Sequence, residues 1–99
     1  MKLLALEKPL PGVGDSQFTE ALLRAEAAKA WELHQAGLVR ELYFRADRDE
    51  TVLVLECAGI EEARKLLADL PLVKAGLIDF EIVPLKPYPG FARLFSPVA

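Results

Sequence analysis

The sequence predicts an α+β fold: a ferredoxin-like βαββαβ chain whose antiparallel sheet has the order 4-1-3-2, with two helices on one face. Three observations predict it. Stretches with a period of 2 and stretches with a helical period follow one another in that order along the chain. The first and third strands are apolar on both faces, as central strands are. The second and fourth alternate apolar with polar residues, as edge strands do.

The first strand is expected over Met1 to Lys8, where Leu3, Leu4, Ala5 and Leu6 form a continuous apolar run that Pro9 and Pro11 end. After a loop from Pro11 to Asp15, either Asp15 or Ser16 is positioned to cap a long, alanine-rich helix from Gln17 to Ala36. Gly37 supplies its left-handed exit. From Leu38 to Arg45, Leu42 and Phe44 alternate with Glu41, Tyr43 and Arg45, giving a second strand, and Asp47 to Glu50 turn the chain. The third strand runs from Thr51 to Cys57 around Val52, Leu53, Val54 and Leu55. A second helix, Ile60 to Leu70, packs through a stripe of Ile60, Ala63, Leu66, Leu67 and Leu70, with Pro71 beyond its end. In the last strand, from Leu77, Ile78, Phe80 and Ile82 alternate with Asp79, Glu81 and Val83. The tail from Lys86 to Ala99 holds Tyr88, Phe91, Leu94 and Phe95, too aromatic for a disordered end, and is expected to pack across a neighbour.

With 99 residues and no repeat or linker, the chain reads as a single domain, residues 1–99. Hydrophobic residues make up 53% of it and the mean hydropathy is +0.22, which leaves apolar surface for a second copy. A homodimer or higher homo-oligomer is therefore expected, with two sheets packed face to face over Tyr43 and the alternate apolar residues of the central strands. The net charge of −3, with acids and bases interspersed, argues against nucleic acid as a partner. No apolar run is long enough for a membrane span or a signal-peptide core, so the cytoplasm is the expected location. Cys57, the single cysteine, reads as a small buried hydrophobe. With no metal-ligand spacing, phosphate loop or nucleophile beside a base, neither metal nor cofactor is expected.

The first helix carries the functional clue. At about 100° per residue, its inward face collects Leu22, Leu23, Ala27, Ala30 and Leu33, with Glu26 among them and His34 near the edge. Ala30 is too small to fill the space over the sheet, so a pocket beside the carboxylate is expected. Unpaired there, Glu26 would have a raised pKa suited to proton transfer. The alternative is a buried ion pair with Arg40, which shares the parity of Leu42 and Phe44 and would lower that pKa. Trp31, His34, Phe44 and Phe80 are the candidates for lining a small-molecule site, although each also fits a structural role.

These residues resemble the muconolactone delta-isomerase family, within the dimeric α+β barrels. The resemblance runs from Arg24 to Leu85 and rests on Glu26, Gly37, the run RELYFR at Arg40 to Arg45, LPL at Leu70 to Leu72 and IDFEI at Ile78 to Ile82. It implies a cofactor-free enzyme that moves a proton so that a double bond shifts within an unsaturated lactone, in a pocket between helices and sheet, with subunits in dimers or larger rings. Glu26 and Arg40 are the matching positions, the first expected to shuttle the proton and the second to steady the enolate or carboxylate that develops. The family's aromatic and histidine residues around the second strand and turn are replaced here by Glu41 and by Ala46, Asp47, Arg48, Asp49 and Glu50. The other expectation is a non-catalytic module of the same fold that binds a small molecule or only assembles.

Overall fold

The computed structural model describes residues 1–97. Its order is β1 (Lys2–Pro9), α1 (Glu20–Gln35), β2 (Val39–Phe44), β3 (Thr51–Glu56), α2 (Ile60–Ala68), α3 (Pro71–Lys74) and β4 (Ile78–Pro84). The four strands form one antiparallel sheet in the order β2-β3-β1-β4, which is the predicted 4-1-3-2 order read from the other edge. The strand chemistry explains the order: β1 and β3 are apolar on both faces and sit inside, while the alternating β2 and β4 take the edges.

Register sorts the faces. Toward the helices, Leu3 and Ala5 of β1 stand opposite Leu55 and Leu53 of β3, and opposite Pro84 and Ile82 of β4. Glu7 continues that row and stands opposite Phe80. Leu3, Ala5 and Leu55 are wholly buried, with Ala63, Leu67, Leu70 and Leu72 packed over them. Burying each such leucine stabilises the fold by about 2 kcal/mol. The thiol of Cys57 lies in this core, as expected. On the other face, Leu4, Leu6, Val52, Val54 and Val83 form an aliphatic patch that remains half-exposed, flanked by Tyr43, Glu41 and Glu81.

Three local features differ from the expectation. The long helix begins at Glu20, because Thr19 rather than Asp15 or Ser16 caps it, its Oγ1 accepting the Leu22 amide at 3.2 Å. Residues Asp15–Gln17 form a separate 3-10 turn. Pro71 does not merely follow α2; it opens α3 at the first helical position, where its missing N–H costs nothing. Gly37 ends α1 as predicted, with φ of +77°.

β2 contains a bulge. Glu41 pairs with Val54 and Val39 with Leu55, so Arg40 is an extra residue with no partner on β3. Parity changes there: Val39 and Leu42 both face the helices although they are three residues apart. Beyond β4, residues 86–97 run away from the body as an arm containing a short 3-10 stretch, Gly90–Leu94, and lengthen the molecule to 62 Å against 28 and 22 Å in the other directions. The arm's aromatic residues lie bare in the single chain, Phe95 being 85% exposed.

Candidate functional site

A cavity of about 620 Å³ lies between α1 and the open end of the sheet. Its floor is strand residues: Leu42 and Phe44 of β2, Thr51 and Leu53 of β3, Glu7 of β1 and Phe80 of β4. Leu23, Glu26, Ala27 and Ala30 of α1 form the roof, Leu70 and Leu72 the inner end, and Phe18 and Asp49 the rim. The sequence explains the space. α1 buries only Leu33 fully, because its inward positions nearer the cavity are alanines, and Leu23 remains 46% exposed.

Glu26 projects from α1 into this cavity, half-buried, and its Oε1 accepts the backbone N–H of Leu72 at 2.9 Å. Leu72 stands in the first turn of α3, where an amide has no partner within the helix, so the carboxylate satisfies a donor that the helix leaves open. Oε2 has no hydrogen-bond partner among the described residues. Burial pushes the Glu26 carboxyl above its ordinary value of 4.5; the Leu72 amide pulls it back, and the nearby charge of Glu7 pushes it up further. Glu7 is fixed from the other side, accepting the Thr51 amide at 3.0 Å.

Of the residues singled out from sequence, the structure brings Glu26, Phe44 and Phe80 into the cavity. Phe80 is deeply buried at its floor, whereas Phe44 is 68% exposed at its mouth. Arg40 does not follow the parity of Leu42 and Phe44, because the bulge turns it out of register. Its Nε instead donates to the Gly37 carbonyl at 2.6 Å, closing the end of α1, and no Glu26–Arg40 ion pair exists among the described residues. Trp31 is 62% exposed and is not among the lining residues; it lies against His34, ring centres 5.9 Å apart. His34 Nδ1 donates to the Val39 carbonyl at 2.9 Å, tying α1 to β2.

The two further carboxylates of the lining, Glu7 and Asp49, and its Thr51 were not among the site residues expected from sequence. Glu7 shares the parity of Leu3 and Ala5, but it follows a run that is apolar on both faces, so alternation alone does not single it out. Thr51 offers the cavity a hydroxyl, and Asp49 comes from the β2–β3 turn. Among the described residues, no group of three or more His, Cys, Asp or Glu is placed to hold a metal ion, and no helix is long and apolar enough to cross a membrane.

Comparison with known proteins places this geometry. The sequence model of the muconolactone delta-isomerase family matches residues 4–90. Among solved structures, muconolactone isomerase superposes with a TM-score of 0.69 at 22% identity, over 90% of this chain and 92% of that one. The 5-chloro-2-hydroxyhydroquinone dehydrochlorinase of Burkholderia phenoliruptrix, solved with 2,5-dihydroxybenzoquinone, superposes with a TM-score of 0.59 at 18% identity, over 87% of this chain and 94% of that one. At such identities the two structures share the fold. A comparison with curated proteins gave no match.

Proposed function

The chain belongs to the muconolactone delta-isomerase family, and on that footing we propose that it is a cofactor-independent isomerase that moves a proton within a small unsaturated lactone or related enolisable compound. The observation that carries the proposal is Glu26, a half-buried carboxylate on the roof of an apolar cavity with one oxygen fixed and the other open to a ligand. Burial raises its proton affinity toward the range in which one group both takes and returns a proton near neutral pH.

In the proposed step, the Glu26 carboxylate removes a proton from the carbon next to the conjugated system. The electrons of that C–H bond move into the π system and place negative charge on the carbonyl oxygen, giving a dienolate. Protonation at the far end of the conjugated unit by the same carboxyl completes a 1,3 shift, with no net gain or loss of atoms. The dienolate oxygen needs a donor. Arg40, held at the helix end, is outside the scheme; the Thr51 hydroxyl, on the cavity floor, is the group assigned to that oxygen. Phe80 and Leu53 exclude water from beneath the reacting carbons.

We further propose a homo-oligomer, dimeric at least, in which a second copy covers the half-exposed patch of Leu4, Leu6, Val52, Val54 and Val83 and gives the aromatic arm a surface to pack on.

The test is deuterium incorporation from heavy water into a panel of unsaturated lactones and enolisable acids, followed by NMR. Exchange by the wild type and its loss, by about 100-fold or more, in Glu26→Gln is the expected result. Exchange undiminished in the variant would remove Glu26 as the base, and no exchange above buffer for any compound would leave a binding or assembly module.

A further inference from the structure

We propose that the cavity selects an uncharged, largely apolar substrate and rejects carboxylate-bearing ones, with Glu7 as the residue that sets the choice. The proposal deepens the proton-transfer reading and rests on it for the reaction, while its own content is what the cavity admits.

The charges of the lining are one-sided. Glu26, Glu7 and Asp49 contribute three carboxyl groups, and no lysine, arginine or histidine lines the cavity among the described residues. The neighbouring cations are engaged elsewhere: Arg45 donates to Asp47 at 2.6 Å, Arg48 pairs with Glu50 at 3.1 Å, and Arg40 is held by the Gly37 carbonyl at 2.6 Å. An anion entering this space would give up its water, meet carboxylates and find no countercharge from the described residues of this chain. A neutral ring with apolar substituents would meet Leu53, Phe80 and the other apolar side chains instead. A volume of about 620 Å³ is ample for a five-membered lactone carrying such a substituent.

Glu7 is the decisive carboxylate. It rises from the central strand β1 at the closed floor, and the Thr51 amide holds one of its oxygens at 3.0 Å, so the side chain is not free to swing out of an incoming ligand's way. Its charge is felt across the cavity at Glu26. Asp49, on an exposed turn at the rim, is screened by solvent. A carboxylate on the same strand face as buried Leu3 and Ala5 gains no ion pair there among the described residues, so its charge stays uncompensated toward a ligand.

The test is a matched pair of ligands: muconolactone, which carries a free carboxylate at neutral pH, and its methyl ester, which does not. Binding of each to the wild type and to Glu7→Gln is measured by titration calorimetry and ligand-observed NMR. The ester is expected to bind the wild type ~100-fold more tightly than the free acid, the order set by one like-charge contact at an effective dielectric constant of about 20. Glu7→Gln should narrow the gap to within about 10-fold, chiefly by admitting the acid. Glutamine can still accept the Thr51 amide, and circular dichroism verifies the fold; Asp49→Asn, on the exposed turn, should move the gap less.

The proposal is overturned if the wild type binds the acid as tightly as the ester, if it binds neither, if Glu7→Gln leaves the gap unchanged, or if Asp49→Asn moves it more. Because the readout is binding, selective binding without deuterium exchange would sink the proton-transfer reading and keep this one. Exchange with no preference between the two compounds would do the reverse.

Discussion

Glu26 carries two opposed influences, and their balance has a measurable sign. Burial and the Glu7 charge hold its carboxyl above the ordinary 4.5 despite the Leu72 amide. Its contribution to stability is therefore complete only below 4.5, where folded and unfolded chains both keep the proton, and it is lost as pH rises through the raised value. Glu26→Gln, which keeps an acceptor for the Leu72 amide, should be more stable than the wild type at pH 7 by up to about 1 kcal/mol, solvent screening limiting a half-exposed group. Urea unfolding at pH 7 and pH 4 checks this, with the advantage expected to vanish at the lower pH. Glu7→Gln removes a charge that pushes Glu26 up, so the rising acid limb of the exchange rate against pH should move to lower pH in that variant, as a pH profile on any exchanging lactone would show. Glu26 was legible in the sequence because a carboxylate interrupted a helical stripe of Leu and Ala. Arg40 was misread for an equally physical reason: parity counts residues, and a bulge adds one that no composition rule announces.

At the scale of the elements, strand and helix periods identified every strand and both main helices, because each buries a face whose period can be counted. α3 did not announce itself: four residues that open on a proline carry no period, and the helix is a single turn. The end of α1 is different, since Gly37 has to adopt a φ of +77° for the chain to reach β2. Gly37→Ala should cost about 1–2 kcal/mol, measured as a lowered urea midpoint at unchanged slope. The same substitution brings a methyl group to about van der Waals distance from the Arg40 guanidinium, so its cost comes from the backbone rather than from a clash. The cavity, too, is a property of an element, because α1 spans the sheet on alanines and so leaves a gap that leucines would have filled.

The whole molecule is a small body with two unfinished surfaces, the aliphatic outer face of the sheet and the aromatic arm. Composition foretold surplus apolar surface, and register located it on Leu4, Leu6, Val52, Val54 and Val83. Leu6→Lys, at the middle of that patch, should lower the molar mass found by light scattering at micromolar concentration while leaving the circular dichroism spectrum in place. An unchanged mass would mean that this face is not where copies meet. The position of β1 has a bearing on synthesis as well as on stability. Of the four strands β1 leaves the ribosome first, yet its two neighbours are β3 and the last strand, β4. The nascent chain cannot complete its sheet until residue 84 has emerged, so the strand made first is the one that waits for both neighbours.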